Sequence, residues 1–240
     1  MRKIIMTLIV VLGATALYAQ QTTDQATTSN SKSRYITNGF WDNWFVQLNA
    51  GAQTYFGDHN KQMKFSERIT PAFDIAAGKW FAPFFGTRLM LHGFGYKGAT
   101  QNGAHSTGVS IPGVLGEEYG LSYQKIDFMN LHIDFMFDIS NMIGGYRQDR
   151  FWSVQPYIGL GWIYTWSKPT NHSVTYNAGI NNALRINDKF NINIDIRGGM
   201  LNDVFDGEVG GRSHEGFLST TVGLTYNFKA RGWDYSSRNH

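Results

Sequence analysis

Between residues 44 and 228 the chain alternates apolar and polar side chains with a period of two. The cleanest stretch reads Ile192, Asn193, Ile194, Asp195, Ile196, Arg197. Successive strand side chains point to opposite faces, whereas a helix would scatter those isoleucines around its circumference. Val46, Leu48, Ala50 and Ala52 likewise oppose Gln47, Asn49, Gly51 and Gln53. Met129, Leu131, Ile133 and Phe135 oppose Asn130, His132, Asp134 and Met136, and Pro156, Ile158, Leu160 and Trp162 oppose Tyr157, Gly159 and Gly161. Eight strands are expected, at about 44–56, 70–80, 85–97, 121–138, 153–166, 175–187, 190–200 and 215–228.

A soluble sandwich would turn the apolar faces inward. A membrane barrel would turn them to lipid and keep the polar faces in its lumen. Three features favour the barrel. The segments are long, as tilted spanning strands must be. Long polar connections (57–69, 98–120, 167–174 and 201–214) alternate with 81–84, 139–152 and 188–189, two of which are short. The 139–152 connection exceeds a simple turn, and its Asn141-Met-Ile-Gly-Gly stretch is expected as a small helix or plug. Aromatics gather at strand ends: Trp41, Trp44, Trp80, Phe81, Phe84, Phe85, Phe151, Trp152, Phe190 and Phe228 for a periplasmic rim. Phe56, Tyr96, Tyr119, Tyr123, Tyr164, Trp166, Tyr176 and Phe217 would form an outer one. The expected fold is all-β, an eight-stranded antiparallel up-and-down transmembrane barrel over 43–228. Its last strand carries Thr221-x-Gly223-x-x-Tyr226-x-Phe228, which matches the terminal-strand signal read during barrel assembly.

Composition narrows the reading. Arg2 and Lys3 precede an apolar run over 4–17 and a small residue at Ala19, so residues 1–19 read as a secretory signal, too short to span as a helix. Its removal leaves 19 basic against 18 acidic residues, so the basic pI gives no reason to expect a nucleic-acid partner. The absence of cysteine excludes disulfides, thiolate metal sites and a lipoprotein anchor. Residues 20–42 begin with a Gln/Thr/Ser/Asn-rich stretch and read as a flexible periplasmic lead-in. Residues 229–240 read as a periplasmic tail.

The stretches Asn38-Gly-Phe-Trp-Asp-Asn-Trp-Phe-Val, Gly51-Ala-Gln-Thr-Tyr-Phe-Gly-Asp, Pro156-Tyr-Ile-Gly-Leu-Gly-Trp and Gly223-Leu-Thr-Tyr-Asn-Phe resemble OmpA-like outer-membrane proteins. The resemblance covers about 38–233. It implies an eight-stranded outer-membrane barrel of a Gram-negative bacterium with periplasmic termini. Many family members continue into a peptidoglycan-binding domain. This chain reaches His240 twelve residues after Phe228, so wall tethering is not carried over.

Alternation places Asp74, Arg88, His92, His132, Asp134, Arg185, Asp195 and Arg197 in the lumen. Eight strands leave room only for side chains there. The leading expectation is therefore an internal polar network, with Arg88, Arg185 and Arg197 balancing Asp74, Asp134 and Asp195. His132-x-Asp134 could orient a catalytic relay, but no Gly-x-Ser-x-Gly elbow accompanies it. His59, His105 and His214 lack tight ligand spacing, and Asp203, Asp206 and Glu208 lack a calcium-loop pattern. No catalytic residue, metal or cofactor is therefore expected. The expected role is structural, in membrane integrity or as a complex subunit. A narrow passive pore and an enzyme acting on lipid or surface peptides are the alternatives. Expected partners are outer-membrane lipids and lipopolysaccharide, the barrel-assembly machinery, and another outer-membrane or periplasmic protein.

Overall fold

The computed structural model describes residues 34–35, 39–57, 59–202, 205–207, 214–233 and 235–236. The signal expected at 1–19 and most of the lead-in at 20–42 lie outside the described residues. Arg34–Tyr35 pairs antiparallel with Tyr235–Ser236 in a small unit of its own. The other unit spans Ile36–Asp234.

That unit is built on eight long strands: β1 Trp44–Phe56, β2 Thr70–Ala82, β3 Phe85–Thr100, β4 Ser122–Phe137, β5 Trp152–Thr165, β6 His172–Arg185, β7 Phe190–Asn202 and β8 His214–Asn227. Each pairs antiparallel with the next, and β8 returns to β1, from Gly216↔Phe56 to Asn227↔Phe45. The sheet therefore closes, which removes its edges and satisfies its ladder within the wall. At ~3.3 Å per residue, strands of 13–16 residues tilted by roughly 40° cross a ~30 Å hydrocarbon layer. No helix among the described residues is long and apolar enough to cross a membrane.

The faces are inverted relative to a soluble protein. Leu48 is 65% exposed and Ile75 56%, whereas their neighbours Asn49 and Asp74 are 2% and 1% exposed. Water cannot explain a contiguous apolar exterior around a polar core; lipid does.

One end of the barrel holds both termini of the strand array and its tight turns. There Asn187 Oδ1 accepts from the backbone N–H groups of Lys189 and Phe190, closing the β6–β7 hairpin. The other end carries the longer connections. After β3, Ser106–Ser110 adds to the edge of β4, followed by helix α1 at Val114–Glu117. The 139–152 connection contains helix α2, Ile139–Gly144, at the short-turn end. Asp138 caps α2 by accepting from Asn141 N at 3.0 Å. The helix ends at Gly145, whose φ of +68° suits glycine.

Three aromatics assigned to the rims lie inside. Trp80 is 4%, Tyr96 0% and Phe217 3% exposed. Each shares the facing of inward neighbours: Trp80 with Asp74 and Ala76, Tyr96 with Arg88 and His92, Phe217 with Ser219 and Thr221. Period-two parity outweighs a preference for strand ends. Trp152 and Phe228 at one end, and Tyr164, Trp166 and Tyr176 at the other, remain exposed. The expected tail also differs: Trp233 is buried and packs at the short-turn mouth. β6 begins at His172 rather than 175, which shortens the connection before it.

Ile196 is 47% exposed on the outer wall, midway between Asp195 and Arg197 of the interior. Ile196→Lys is expected to lower barrel stability by ~2–4 kcal/mol in bilayers, with Ile196→Val nearly neutral. Urea titration of both in lipid vesicles checks the facing. Equal stability of the two variants would contradict it.

Candidate functional site

The interior is filled in layers, and the middle layer is charged. Arg88 is supplied by β3. Its Nε donates to Asp134 Oδ2 at 2.8 Å, its Nη2 to Asp195 Oδ2 at 2.9 Å, and its Nη1 to Gln47 Oε1 at 2.9 Å. Tyr157 OH donates to the other oxygen of Asp195 at 2.6 Å, and its ring centroid lies 4.4 Å from the Arg88 guanidinium. Four strands besides β3 thus converge on one cation. Arg197, from β7, donates through Nη2 to Asp74 Oδ1 at 2.9 Å, and Thr221 Oγ1 donates to Asp74 Oδ2 at 3.1 Å.

Two histidines complete the layer. His132 Nδ1 lies 2.7 Å from Asp134 Oδ1, and its Nε2 lies 3.1 Å from Arg197 Nη1. A carboxylate only accepts and a guanidinium only donates. His132 therefore carries its proton on Nδ1 and accepts on Nε2, joining the Arg88 and Arg197 clusters. His92 Nδ1 lies 2.6 Å from Asp74 Oδ1 and its Nε2 lies 2.8 Å from Gln53 Oε1.

Close approach requires missing side chains nearby. A Cβ at Gly159 would lie 2.2 Å from Asp134 Oδ1, and one at Gly179 would lie 2.5 Å from Tyr157 OH. Glycines at these inward positions make room for the charged layer.

Toward the long-connection end the charged layer is roofed by rings. Phe217 stacks on His92 with centroids 6.1 Å apart. Tyr55, Tyr96 and Phe128 stack in succession, at 5.1 Å and 4.2 Å. Phe205, from the β7–β8 connection, meets Tyr55 edge-on. At the other end Phe45, Trp80, Met136, Tyr157 and Trp233 form a second apolar layer. Arg231 lies 3.9 Å over Trp80 and 5.1 Å over Trp233, donates to Asp138 Oδ2 at 3.0 Å, and also bonds the Pro83 carbonyl. Burial pushes its guanidinium down from its ordinary value against the pull of Asp138. Just inside this mouth lies a cavity of about 20 Å³, lined by Gln47, Gln155 and Asn193 among others, with room for about one water.

Seven of the eight residues assigned to the lumen meet in the charged layer. Arg185 does not. It is half-exposed at the short-turn rim and pairs with Asp188 of its own hairpin. It shares the inward parity but sits past the end of the enclosed lumen. The layer therefore sets two arginines against three carboxylates, with the histidines sharing the remaining hydrogen bonds. Gln47, Gln53 and Tyr157 join it and were legible only as inward positions. Arg231 and Trp233 carried no signal in the sequence.

The terminal-strand residues divide between faces. Thr221 binds Asp74 inside. Gly223 also faces inward, where a Cβ would lie 2.1 Å from Asn49 Oδ1. Tyr226 and Phe228 meet edge-on outside at 5.5 Å. His132 and Asp134 do touch, yet the ring nitrogen a nucleophile would use faces Arg197. His105 Nδ1 lies 2.9 Å from Ser167 Oγ, far from this layer in the fold. Burial pushes the His105 imidazole down from its ordinary value. The side chains of Asp203, Glu208 and His214 lie outside the described residues. Among the described residues no three His, Asp or Glu groups are placed to hold a metal ion.

No family model matches the chain. It is similar to outer membrane protein 41 of Porphyromonas gingivalis (strain ATCC BAA-308 / W83), 28% identical over 218 residues, covering 83% of this chain and 51% of that protein. Outer membrane protein 40 of the same strain is 28% identical over 243 residues, covering 94% and 58%. The chain thus spans little more than half the length of these relatives. Among solved structures it is similar to Neisserial surface protein A, with a TM-score of 0.47 and 9% identity over 77% of this chain and 97% of that one. OprG from Pseudomonas aeruginosa gives 0.46 and 10% over 81% and 100%. The closed strand array and the two sequence relatives together make this chain an integral β-barrel of a Gram-negative outer membrane.

Removing Arg88 leaves Asp134 and Asp195 buried with one cation fewer. Arg88→Ala is expected to lower stability by ~3–5 kcal/mol, as for breaking a buried ion pair. Arg185→Ala, at the rim, is expected to cost ~0–1 kcal/mol. Urea unfolding in detergent, followed by tryptophan fluorescence, compares them. Similar small losses would mean that water screens the interior.

Proposed function

We propose that the protein is a non-enzymatic, closed outer-membrane barrel. Its role is structural, in membrane integrity or as a subunit of a membrane complex. The observation that carries this is the layered filling: rings, a charged layer, then rings and the Arg231 contacts, occupying the lumen between its mouths. Eight strands enclose little more than side chains, and these side chains are bonded to one another across the lumen. Both His–Asp couples in the charged layer, His132–Asp134 and His92–Asp74, are occupied on both ring nitrogens, which speaks against acid–base chemistry there. With the lumen committed to the barrel's own stability, function falls to the outer wall, the connections and the two mouths.

The strand count is even, and a secretory signal would deliver the N-terminus to the periplasm. We therefore assign the short-turn end, with 229–233, to the periplasm and the long connections to the cell exterior. Tyr226, Phe228, Gly223 and Thr221 on β8 are assigned to recognition by the assembly machinery, although Gly223 and Thr221 also have packing roles. The activities of the longer relatives stay with those proteins.

Two measurements test the proposal. In planar bilayers the wild-type barrel is expected to show little steady conductance, and Arg88→Ala to show brief openings. A large, steady wild-type conductance would favour the narrow-pore reading. On intact cells, Ser110→Cys in the exposed strand beside β4 is expected to react with an impermeant maleimide, and Lys189→Cys in the β6–β7 turn to react only after permeabilisation. The opposite pattern would reverse the orientation.

A further inference from the structure

The outer wall is irregular at Phe94. Phe94 lies within β3, between Gly93 and Gly95, with a φ of +129°. An L side chain rarely adopts that conformation, so the backbone is strained there. The pairing register runs through it unbroken, Ala72↔Phe94↔Phe128. The consequence is a reversal of facing. His92 and Tyr96 point inward, and by parity Phe94 should too, yet it is 59% exposed. Its ring lies outside against Phe73, with centroids 4.8 Å apart.

Beside it is a groove of about 630 Å³ in the outer wall, lined by Leu48, Phe73, Leu91, Phe94, Met129 and Trp166 among others, with Lys125 and Asp127 at its rim. Lys125 also lines a second hollow of about 380 Å³, with Lys97, Thr107, Tyr123 and Glu67. The two hollows therefore meet at Lys125. Trp166 of the exposed aromatic belt lines the groove, and the second hollow lies farther along β3 and β4 toward the long-connection end.

The lysines are the second observation. Lys97 and Lys125 occupy directly opposed positions on β3 and β4, both on the outer face. Like charges so placed repel at close range. Asp127 pairs with Lys125 at 3.1 Å, but Lys97 makes no ion pair among the described residues. Glu67, the acid lining the second hollow, makes none either. A dianionic group lying across the two ammonium groups would turn their repulsion into a bidentate contact.

We propose that the two hollows form a binding site for one molecule of lipopolysaccharide. A lipid A acyl chain lies along the groove against Phe94, and a lipid A phosphate bridges Lys97 and Lys125. Apolar groove and cation pair lie in the order in which acyl chain and phosphate occur across the outer leaflet. The site rests on the orientation assigned above, which cysteine labelling tests separately. It does not depend on whether the lumen conducts.

Native mass spectrometry of the full-length folded barrel in detergent provides the test, with bisphosphorylated lipid A and its dephosphorylated form as probes. The wild type is expected to retain the bisphosphorylated lipid at least about tenfold more strongly, the scale of one charge-assisted contact. Lys97→Gln/Lys125→Gln is expected to abolish that preference, whereas Lys189→Gln at the opposite end retains it. Phe94→Gly, which relieves the φ strain and removes the ring, is expected to weaken both lipids to a similar extent. Heat-modifiable gel migration verifies that each variant is folded. The wild-type comparison of the two lipids needs no variant, so misfolding cannot mask the outcome. Equal retention of the two lipids by the wild type, or an unchanged preference in the double lysine variant, would overturn the proposal. If labelling reversed the orientation while the lipid preference held in detergent, the assigned leaflet would fail and the binding chemistry would stand.

Discussion

Closure of the strand array is the constraint on which everything else in the barrel depends. In lipid no water is present to bond a peptide group left over at a sheet edge, so β8 must return to β1. Closure with eight strands creates an interior too narrow for bulk water and too wide to be left empty. The outward side chains face hydrocarbon and are apolar. The inward ones inherit the alternate positions and are polar by the same periodicity. The charged layer is thus a consequence of closing an alternating sheet, and its particular residues determine whether that interior is stable.

The interior meets this demand through shape as much as charge. Arg88 reaches carboxylates on two other strands, Asp134 and Asp195, so one guanidinium ties together wall segments far apart in sequence. Glycine at 159 leaves space for Asp134, and glycine at 179 leaves space for Tyr157. The stacked rings above and the Phe45–Trp80–Trp233 layer below cover ion pairs whose side chains are at most 1% exposed, and such burial raises the cost of losing a partner. Residues 229–233 belong to this arrangement. Asn43 Oδ1 accepts from Gly232 N at 3.1 Å, and Tyr146 OH donates to the Arg231 carbonyl at 2.9 Å. The chain therefore leaves β8 fastened to the barrel mouth.

The exterior departs from its alternation at Phe94, and that departure has a local cause. Glycines on both sides allow the backbone to turn over at one residue without a register shift, so the ring changes face while His92 and Tyr96 keep theirs. Elsewhere the outer wall presents aliphatic and aromatic side chains to lipid, and the outward Asn182 accepts from Trp152 Nε1. Near Lys97 and Lys125 strain, an apolar hollow and opposed like charges occur together.

Strand number, strand centres and facing were legible in the sequence, because a half-buried strand records its two environments at alternate positions. Ile192 to Arg197 is the clearest case, and the inward assignment of Asp74, Arg88, His92, His132, Asp134, Asp195 and Arg197 needs no more than that parity. Parity says which face a residue occupies but not how far along the enclosed lumen it lies, so Arg185 was grouped with residues it never meets. It also says nothing about partners across the barrel: that Arg88 binds Asp195, 107 positions away, depends on where eight tilted strands bring their side chains. The placement of Trp233 under the mouth and the reversal at Phe94 likewise came only from the tertiary structure. The first depends on a surface that exists only after closure. The second depends on a backbone conformation that alternation does not encode.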